Sequence, residues 1–264
     1  MMDTVFQALF PVLEQHEGSE ISSKRTIPLC LGAQWDKHKT MLDIPTLLLL
    51  NHELPAELRS QWTLLFSTRL HGESFSTLMN HICNKGPSVL IIKDKDGYVF
   101  GGFASKSWEM KPQFYGNSRC FLFILAPQVA LYDTSSLNEN YMYLNLNQQT
   151  LPNGLGMGGQ FEYFGLWLSN EFGKGYSKAG PLCSTYNSPQ LSSKTEFEID
   201  VMEVWGTGHG VETEEYGEKP SILDSDPEAT AILQMVGRGQ HSEGLREHDS
   251  KNESPGDVAL PSGM

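Results

Sequence analysis

The sequence lacks long hydrophobic runs, closely spaced cysteines and an excess of positive charge. No apolar run reaches the ~18 residues that a membrane-spanning helix requires, so no transmembrane segment is predicted. Its 264 residues include 19 lysines and arginines against 32 aspartates and glutamates, which gives a formal net charge of −13. Because such a chain has no surplus of positive charge to neutralise phosphates, nucleic acid is not an expected partner.

Cysteine is scarce, and no two cysteines are close enough in sequence to form a Cys-x-x-Cys pair. The four are Cys30, Cys83, Cys120 and Cys183. The N-terminal residues Met1-Met2-Asp3 lack the basic region and the cleavage site of a secretory signal. These observations predict a reducing cytosolic or nuclear environment. We interpret Cys83 and Cys120 as small core hydrophobes, because no neighbouring residue would activate their thiols.

Motifs for hydrolysis, nucleotide binding and metal binding are also missing. There is no Gly-x-Ser-x-Gly nucleophile elbow and no Gly-Lys-Ser/Thr phosphate-binding loop. The turn at 94–97 resembles the start of a calcium loop, but Ser105 stands where that loop requires a bidentate glutamate. His81 and Cys83 lie two apart in a predicted helix, so they point in different directions. We therefore predict no catalytic residue, no metal site and no cofactor.

Three carboxylates alternate with apolar residues late in the chain: Glu196, Glu198 and Asp200. This alternation is typical of a strand with one buried face and one solvated face. Like charges on a wet face are usually only solvated, and that is the interpretation favoured here. A catalytic pair of carboxylates, which requires two separated pKa values, is the less favoured alternative.

The most unusual stretch that is present is rich in glycine. It runs Asn153-Gly154-Leu155-Gly156-Met157-Gly158-Gly159-Gln160. Such density indicates positive φ angles or a very close approach of neighbouring chains. A dinucleotide-binding loop would open a helix, whereas aromatic, strand-like residues follow at 163–168. The stretch is therefore predicted to be a loop between strands that is used for recognition.

Short strands separated by glycine and proline dominate residues 41–206. We predict helices over 43–51 and 74–84, and strands over 62–68, 88–93, 98–105, 120–125, 129–132, 141–144, 164–168 and 197–204. Ser74 is the expected N-cap of the second helix, whose apolar residues recur at helical spacing. A β-bulge is expected near Val201–Glu203, because Glu203 interrupts the alternation. The predicted fold is α+β and mainly β: a two-sheet antiparallel β-sandwich flanked by helices.

The C-terminal region differs in composition from this body. Residues 206–264 hold 12 acidic and 4 basic residues, a net charge of −8. Pro227 follows the candidate N-cap Asp226, and an apolar stripe then predicts an amphipathic helix. Its candidate partner-binding residues are Ala229, Ile232, Leu233, Met235 and Val236. Since a helix of about eleven residues is marginal alone, it needs a surface, either a partner's groove or its own domain.

The predicted organisation has five parts. Residues 1–40 form a poorly defined N-terminal remnant, 41–206 the sandwich domain, and 207–220 an acidic linker. Residues 221–238 carry the interaction helix, and 239–264 form a disordered, acidic tail. The partner-binding prediction covers this helix together with the glycine-rich stretch from Asn153 to Gln160.

Several segments together resemble the TLDc domain, the domain of the oxidation-resistance proteins, in order over about residues 40–206. They are Gly101-Gly102-Phe103-Ala104-Ser105, Phe121-Leu122-Phe123, the stretch 154–159, Phe164-Gly165-Leu166-Trp167-Leu168, Tyr186-Asn187-Ser188-Pro189-Gln190-Leu191 and the run from Phe197 to Trp205. The tail from Ser221 to Ala229, with 241–247, is similar to the lysosomal, mTOR-associated branch of that family.

The resemblance implies a β-sandwich without enzymatic activity that binds the cytosolic catalytic sector of the V-ATPase. It also implies mTOR pathway components as partners and a role in the nutrient response. The expected location is the cytoplasm and, peripherally, the lysosomal membrane. The start Met1-Met2-Asp3 offers no glycine for myristoylation, unlike the similar proteins, so attachment would come through the pump. The alternative is protection against oxidative stress by weak thiol chemistry at Cys83, Cys120 or Cys183.

Overall fold

A computed structural model describes residues 27–33 and 39–208 of the chain. Its helices are α1 (Ile44–Glu53), α2 (Thr68–His71) and α3 (Phe75–Ile82), with a 3-10 turn at Ala56–Leu58. The strands are β1 (Leu29–Leu31), β2 (Gln61–Ser67), β3 (Ser88–Asp94), β4 (Val99–Ala104), β5 (Lys111–Tyr115), β6 (Phe121–Ala126), β7 (Ala130–Tyr132), β8 (Met142–Asn145), β9 (Gly154–Gln160), β10 (Tyr163–Ser169), β11 (Lys174–Tyr176) and β12 (Glu196–Thr207). The predictions for the C-terminal region, with Ala229, Ile232, Leu233, Met235 and Val236, lie outside the described residues.

Local sequence accounts for both longer helices, and both predictions are confirmed. The Asp43 carboxylate accepts the backbone N–H of Thr46 at 2.8 Å and caps α1. Ser74 caps α3 in the same way by accepting the N–H of Thr77 at 3.4 Å. Helix α3 then buries an apolar stripe, whose burial contributes roughly 6–12 kcal/mol gross. The stripe consists of Phe75, Leu78, Met79 and Ile82.

The strands form two layers that share β12. One layer has the order β1-β2-β12-β3-β4-β6-β7, and the other has the order β5-β8-β9-β10-β11-β12. Residues Glu196 to Glu198 of β12 pair with β11, and its later residues pair with β3 and β2. A register shift between Ile199 and Val201 separates the two parts. The expected bulge is therefore present, slightly before Val201–Glu203, and it bends β12 from one layer into the other.

The carboxylate of Glu203 lies inside the fold, which explains why a charged residue interrupts an apolar strand. Glu203 is fully buried. It accepts the Thr40 hydroxyl at 2.7 Å and the Met41 N–H at 3.2 Å, and the Trp205 indole N–H donates to it at 3.1 Å. A buried polar side chain is tolerated where hydrogen bonds satisfy it. Glu203 thereby ties residues 40–41 to the central strand.

Apolar side chains fill the space between the layers and cover one outer face. Leu90 and Leu122 of the first layer share a core with Leu144, Leu155 and Leu166 of the second. On the outer face of the first layer, side chains of α1 pack over the sheet, and we call this surface the helix-covered face. Its members include Leu47, Leu50, Leu54, Val89, Ile91, Phe103, Phe123 and Trp205. The predicted fold class, a mainly antiparallel β-sandwich with flanking helices, is confirmed.

Candidate functional site

The glycine-rich stretch is strand β9, and the prediction of a loop is wrong. Residues Gly154 to Gln160 pair with β8 on one side and β10 on the other. A Cβ on Gly156 would lie 2.5 Å from the Phe164 ring, and one on Gly158 would lie 2.6 Å from Tyr186. Gly158 also has a φ of 73°. The glycines therefore serve both expected purposes: they allow bulky neighbours to approach the strand, and Gly158 and Gly159 adopt positive φ angles.

Burial limits what this segment can offer a partner. Gly154 through Gly159 are buried, Asn153 is half-buried and Gln160 is exposed. Both ends of the Asn153 amide are engaged with the backbone of Gln148, at 2.8 and 3.1 Å. Partner binding by this segment stays a prediction, and only its two ends reach the surface. The exposed hairpin tip that follows, Phe161 to Tyr163, was not singled out from the sequence.

Aromatic rings lie over these glycines on the outer face of the second layer, which we call the aromatic face. Phe164 stacks on Trp167 with ring centroids 4.4 Å apart, and Trp167 stacks on Tyr176 at 6.0 Å. The Lys178 ammonium lies 4.5 Å from the Tyr176 centroid, in a cation–π contact. The face comprises Phe114, Tyr143, Phe161, Phe164, Trp167 and Tyr176. No helix among the described residues contributes to it.

A cleft of about 720 Å³ opens beside the aromatic face, and we call it the charged cleft. It lies between β10, β11 and β12 on one side and the β3–β4 turn with residue 194 on the other. Its apolar lining comes from Trp167, Gly175, Tyr176 and Phe197. Its charged lining consists of Asp94, Lys95, Asp96, Lys174, Lys194, Glu196 and Glu198. A neighbouring cavity of about 350 Å³ shares Lys95, Lys174 and Glu198 with it.

Opposite charges pair at the rim of this cleft. The Lys95 ammonium lies 2.6 Å from the Glu198 carboxylate, and Lys194 lies 2.9 Å from Asp96. The hydrogen bond from Lys95 and its positive charge lower the pKa of Glu198 below its ordinary value. A general acid needs a raised pKa instead. The geometry thus favours the solvated, ion-paired interpretation of the carboxylate row, which Asp200 joins through Lys93 at 3.0 Å.

Burial shapes the environment of the thiols, and it suppresses the thiolate at Cys30, Cys83 and Cys120. Cys120 and Cys183 are 1% and 3% exposed. Burial raises the pKa of the Cys30, Cys83 and Cys120 thiols, so less of each is ionised near neutral pH. Cys120 instead contacts the Ser105 hydroxyl at 3.1 Å. Cys120 is a core hydrophobe, as expected, while Cys83 is only half-buried.

His81 and Asp94, the other chemical candidates, make contacts that are typical of structural residues. His81 donates from Nδ1 to the Thr77 carbonyl at 2.8 Å, a bond along its own helix. The Asp94 carboxylate accepts the Tyr98 N–H at 2.8 Å and the Ser192 hydroxyl at 2.6 Å, as a turn residue does. Over residues 27–33 and 39–208 no group of three or more potential ligands could hold a metal ion. In the same ranges no helix is long and apolar enough to cross a bilayer.

The sandwich, the shared strand β12 and the glycine-based aromatic face define the class of this protein. Residues 35–208 match the TLDc domain, and the chain belongs to the TLDc domain family. The resemblance inferred from the sequence motifs is confirmed.

Individual relatives share much of the sequence. The chain is 58% identical to "MTOR-associated protein MEAK7" of Gallus gallus, over 84% of this chain and 47% of the relative. It is 54% identical to the Homo sapiens protein of that name, over 79% and 46%. "Oxidation resistance protein 1" of Bos taurus is 31% identical over 70% of this chain and 21% of the relative. The chain thus spans about half the length of the MEAK7 relatives.

Proposed function

We propose that this chain is a non-enzymatic interaction protein of mTOR signalling and the nutrient response. It binds the cytosolic catalytic sector of the V-ATPase and lies in the cytoplasm, peripherally at the lysosomal membrane. The observation that carries the mTOR link is the identity of 50–58% to proteins named for mTOR association, along 79–92% of this chain. The V-ATPase partnership comes from the family resemblance.

The site geometry supports an adaptor more than an enzyme. In the charged cleft Glu198 and Asp96 are paired with lysines, and the lowered pKa of Glu198 keeps its charge fixed near neutral pH. The described thiols that could react are buried or have raised pKa values. Surfaces with satisfied charges and a few exposed aromatic side chains are suited to recognition, and here Phe161 and Tyr163 are 37% and 60% exposed.

Affinity capture from a cell lysate tests this proposal. The tagged chain serves as bait, beside a form without residues 221–247, and the eluates are blotted for mTOR and for a catalytic-sector subunit of the pump. We expect the full chain to retain both partners. Equal recovery with the shorter form would remove the predicted helix from the interaction. Recovery of neither partner by either form would overturn the proposal.

Protection against oxidative stress is the second candidate, because one relative is named an oxidation resistance protein. Chemistry of this kind requires a reactive thiolate at neutral pH. Labelling of the native chain with a thiol reagent, followed by mass spectrometry, measures that reactivity for each cysteine. We expect Cys120 and Cys183 to react only after denaturation. Rapid labelling or peroxide oxidation of either residue in the native chain would favour this second candidate.

A further inference from the structure

Two charged side chains that face the charged cleft, those of Lys174 and Glu196, form no salt bridge within the part of the chain that the structure describes, although the charge of Lys174 helps to lower the pKa of Glu198. Lys174 of β11 lies opposite Glu198 of β12, and Tyr176 lies opposite Glu196. Directly paired residues share a face of the sheet, so Lys174 and Glu196 project from the same outer face as diagonal neighbours. Such neighbours are about 7–8 Å apart. Neither side chain enters an ion pair with another described residue.

Hydrogen bonds within the chain hold the walls of the cleft in place. The Ser192 hydroxyl donates to Asp94 at 2.6 Å, and the Ser193 hydroxyl donates to Asp96 at 2.8 Å. These bonds tie the β3–β4 turn to the segment before β12. The backbone N–H of Lys95 also donates to the Glu198 carbonyl at 3.0 Å. A binding site whose walls are already ordered loses little conformational entropy when a ligand enters.

The balance of charge restricts the ligand. Three lysines and four carboxylates line the cleft, so a ligand of one sign would meet nearly as much repulsion as attraction. A ligand that carries both signs can satisfy Lys174 and Glu196 together. The apolar lining from Trp167 and Tyr176 lies beside these charges and can accept apolar atoms. The volume of about 720 Å³ falls within the range of ligand sites.

The geometry points to an extended peptide segment of a protein partner, with an acidic and a basic side chain two residues apart, as the ligand of this cleft. In an extended chain, alternate side chains point the same way and lie roughly 6.5–7 Å apart, which matches the diagonal spacing of Lys174 and Glu196. The acidic side chain pairs with Lys174 and the basic one with Glu196. This assignment rests on the proposed function in one respect, namely that the ligand is part of a protein.

Nuclear magnetic resonance titration of the whole chain tests the spacing. The probe is an acetylated and amidated peptide of sequence Val-Glu-Leu-Lys-Val, and the control peptide Val-Leu-Glu-Lys-Val has the same composition with adjacent charges. The indole N–H signal of Trp167, assigned with Trp167→Phe, reports on the cleft. We expect saturable shifts with the probe and at least about fivefold weaker binding of the control peptide. Equal binding of both peptides would reject the assignment. So would the absence of saturation at a peptide concentration of about 1 mM, which is the range of weak binding.

Charge reversal tests the two contacts. Lys174→Glu and Glu196→Lys should each weaken binding of the probe by at least about fivefold. The double variant should instead prefer the peptide in which glutamate and lysine are exchanged. Lys106→Glu is the matched control, because Lys106 is exposed at the opposite end of β4 and should leave affinity unchanged. Both cleft residues are exposed, and unfolding curves check that the variants remain folded.

The outcome separates this inference from the proposed function. If the reversals leave probe affinity unchanged while the chain still captures mTOR or the pump, the cleft assignment is wrong and the interaction function stands. If probe binding follows the predicted pattern but neither partner is captured, the cleft is a peptide site of some other interaction.

Discussion

The apolar side chains on the two outer faces of the sandwich are covered in different ways. The helix-covered face buries its apolar side chains under α1, where Leu50 and Leu54 are fully buried. The aromatic face instead buries Tyr143 and Phe164 beneath neighbouring rings and against glycines of β9. Helix α1 covers the first face, whereas the rings of the second face leave a cleft open beside Trp167 and Tyr176. The charged cleft lies at that edge, so the aromatic face stabilises the fold and also borders the cleft that we propose as a peptide site.

Removing a helix contact should produce the largest effect. Leu50→Ala deletes a fully buried side chain of α1, and we expect a loss of about 2–5 kcal/mol in the free energy of unfolding. Urea unfolding followed by circular dichroism measures it. Ile44→Ala, on the same helix but 54% exposed, is the control and should cost less than about 1 kcal/mol. Equal losses for both would mean that α1 does not seal the sheet as described.

Filling a glycine position should produce the next effect on the aromatic face. Gly156→Ala places a methyl group where 2.5 Å now separates the ideal Cβ from the Phe164 ring, and overpacking of this kind costs about 1–3 kcal/mol. Gly180→Ala is the control, because nothing lies within 4 Å of its ideal Cβ. Unfolding by urea compares the two. An unchanged stability of Gly156→Ala would show that the rings do not need the glycine.

The cation over the aromatic face should contribute less. Lys178→Met keeps the apolar stem but removes the ammonium that lies 4.5 Å from the Tyr176 centroid. We expect a loss of about 0.5–1 kcal/mol in the free energy of unfolding. The exposed Lys106→Met should change it by less. A loss for Lys178→Met no larger than for Lys106→Met would argue against a stabilising cation–π contact.

The smallest expected effect is the pH dependence of stability that comes from the pair of Lys95 and Glu198 at the rim of the cleft. Lys95 lowers the pKa of Glu198, so the folded state prefers the ionised carboxylate. The stabilisation is therefore present above the unfolded pKa and is lost as pH falls through the lower, folded value. A carboxyl-carbon titration should give a folded pKa below the ordinary ~4.3 of glutamate. The Lys95→Met variant should raise the pKa of Glu198. An unchanged pKa in that variant would show that Lys95 does not cause the lowered value.

Much of this fold follows from local sequence patterns. The apolar stripe from Phe75 to Ile82 predicts α3 because it matches helical spacing, and the turn at 94–97 predicts the β3–β4 hairpin. Strand β9 could not be read in this way, since its glycines carry no alternating side chains and are typical of loops. Strands β5 and β11 are short and depend on their neighbours across the sheet. Strand β5 pairs with the distant β8, whereas β11 pairs with the nearby β10 as well as with the distant β12.

The candidate site could be predicted from the sequence less well than the fold could. The charged cleft combines three segments, at 94–96, 167–176 and 194–198, and no linear motif joins them. The sequence nevertheless contained a signal. Lys93 and Lys95 stand two residues apart in one segment, and Glu198 and Asp200 stand two residues apart in another. Opposite charges with matching period 2 predict cross-strand pairs once two strands are placed side by side. The pairing itself required the structure.

An image of the V-ATPase mixed with this chain tests the central claim most directly. Single-particle averages of the pump at saturating chain concentration should show added density, of the size of the sandwich, on the cytosolic catalytic sector. Averages that are identical with and without the chain would contradict the proposed role as an interaction protein of the pump.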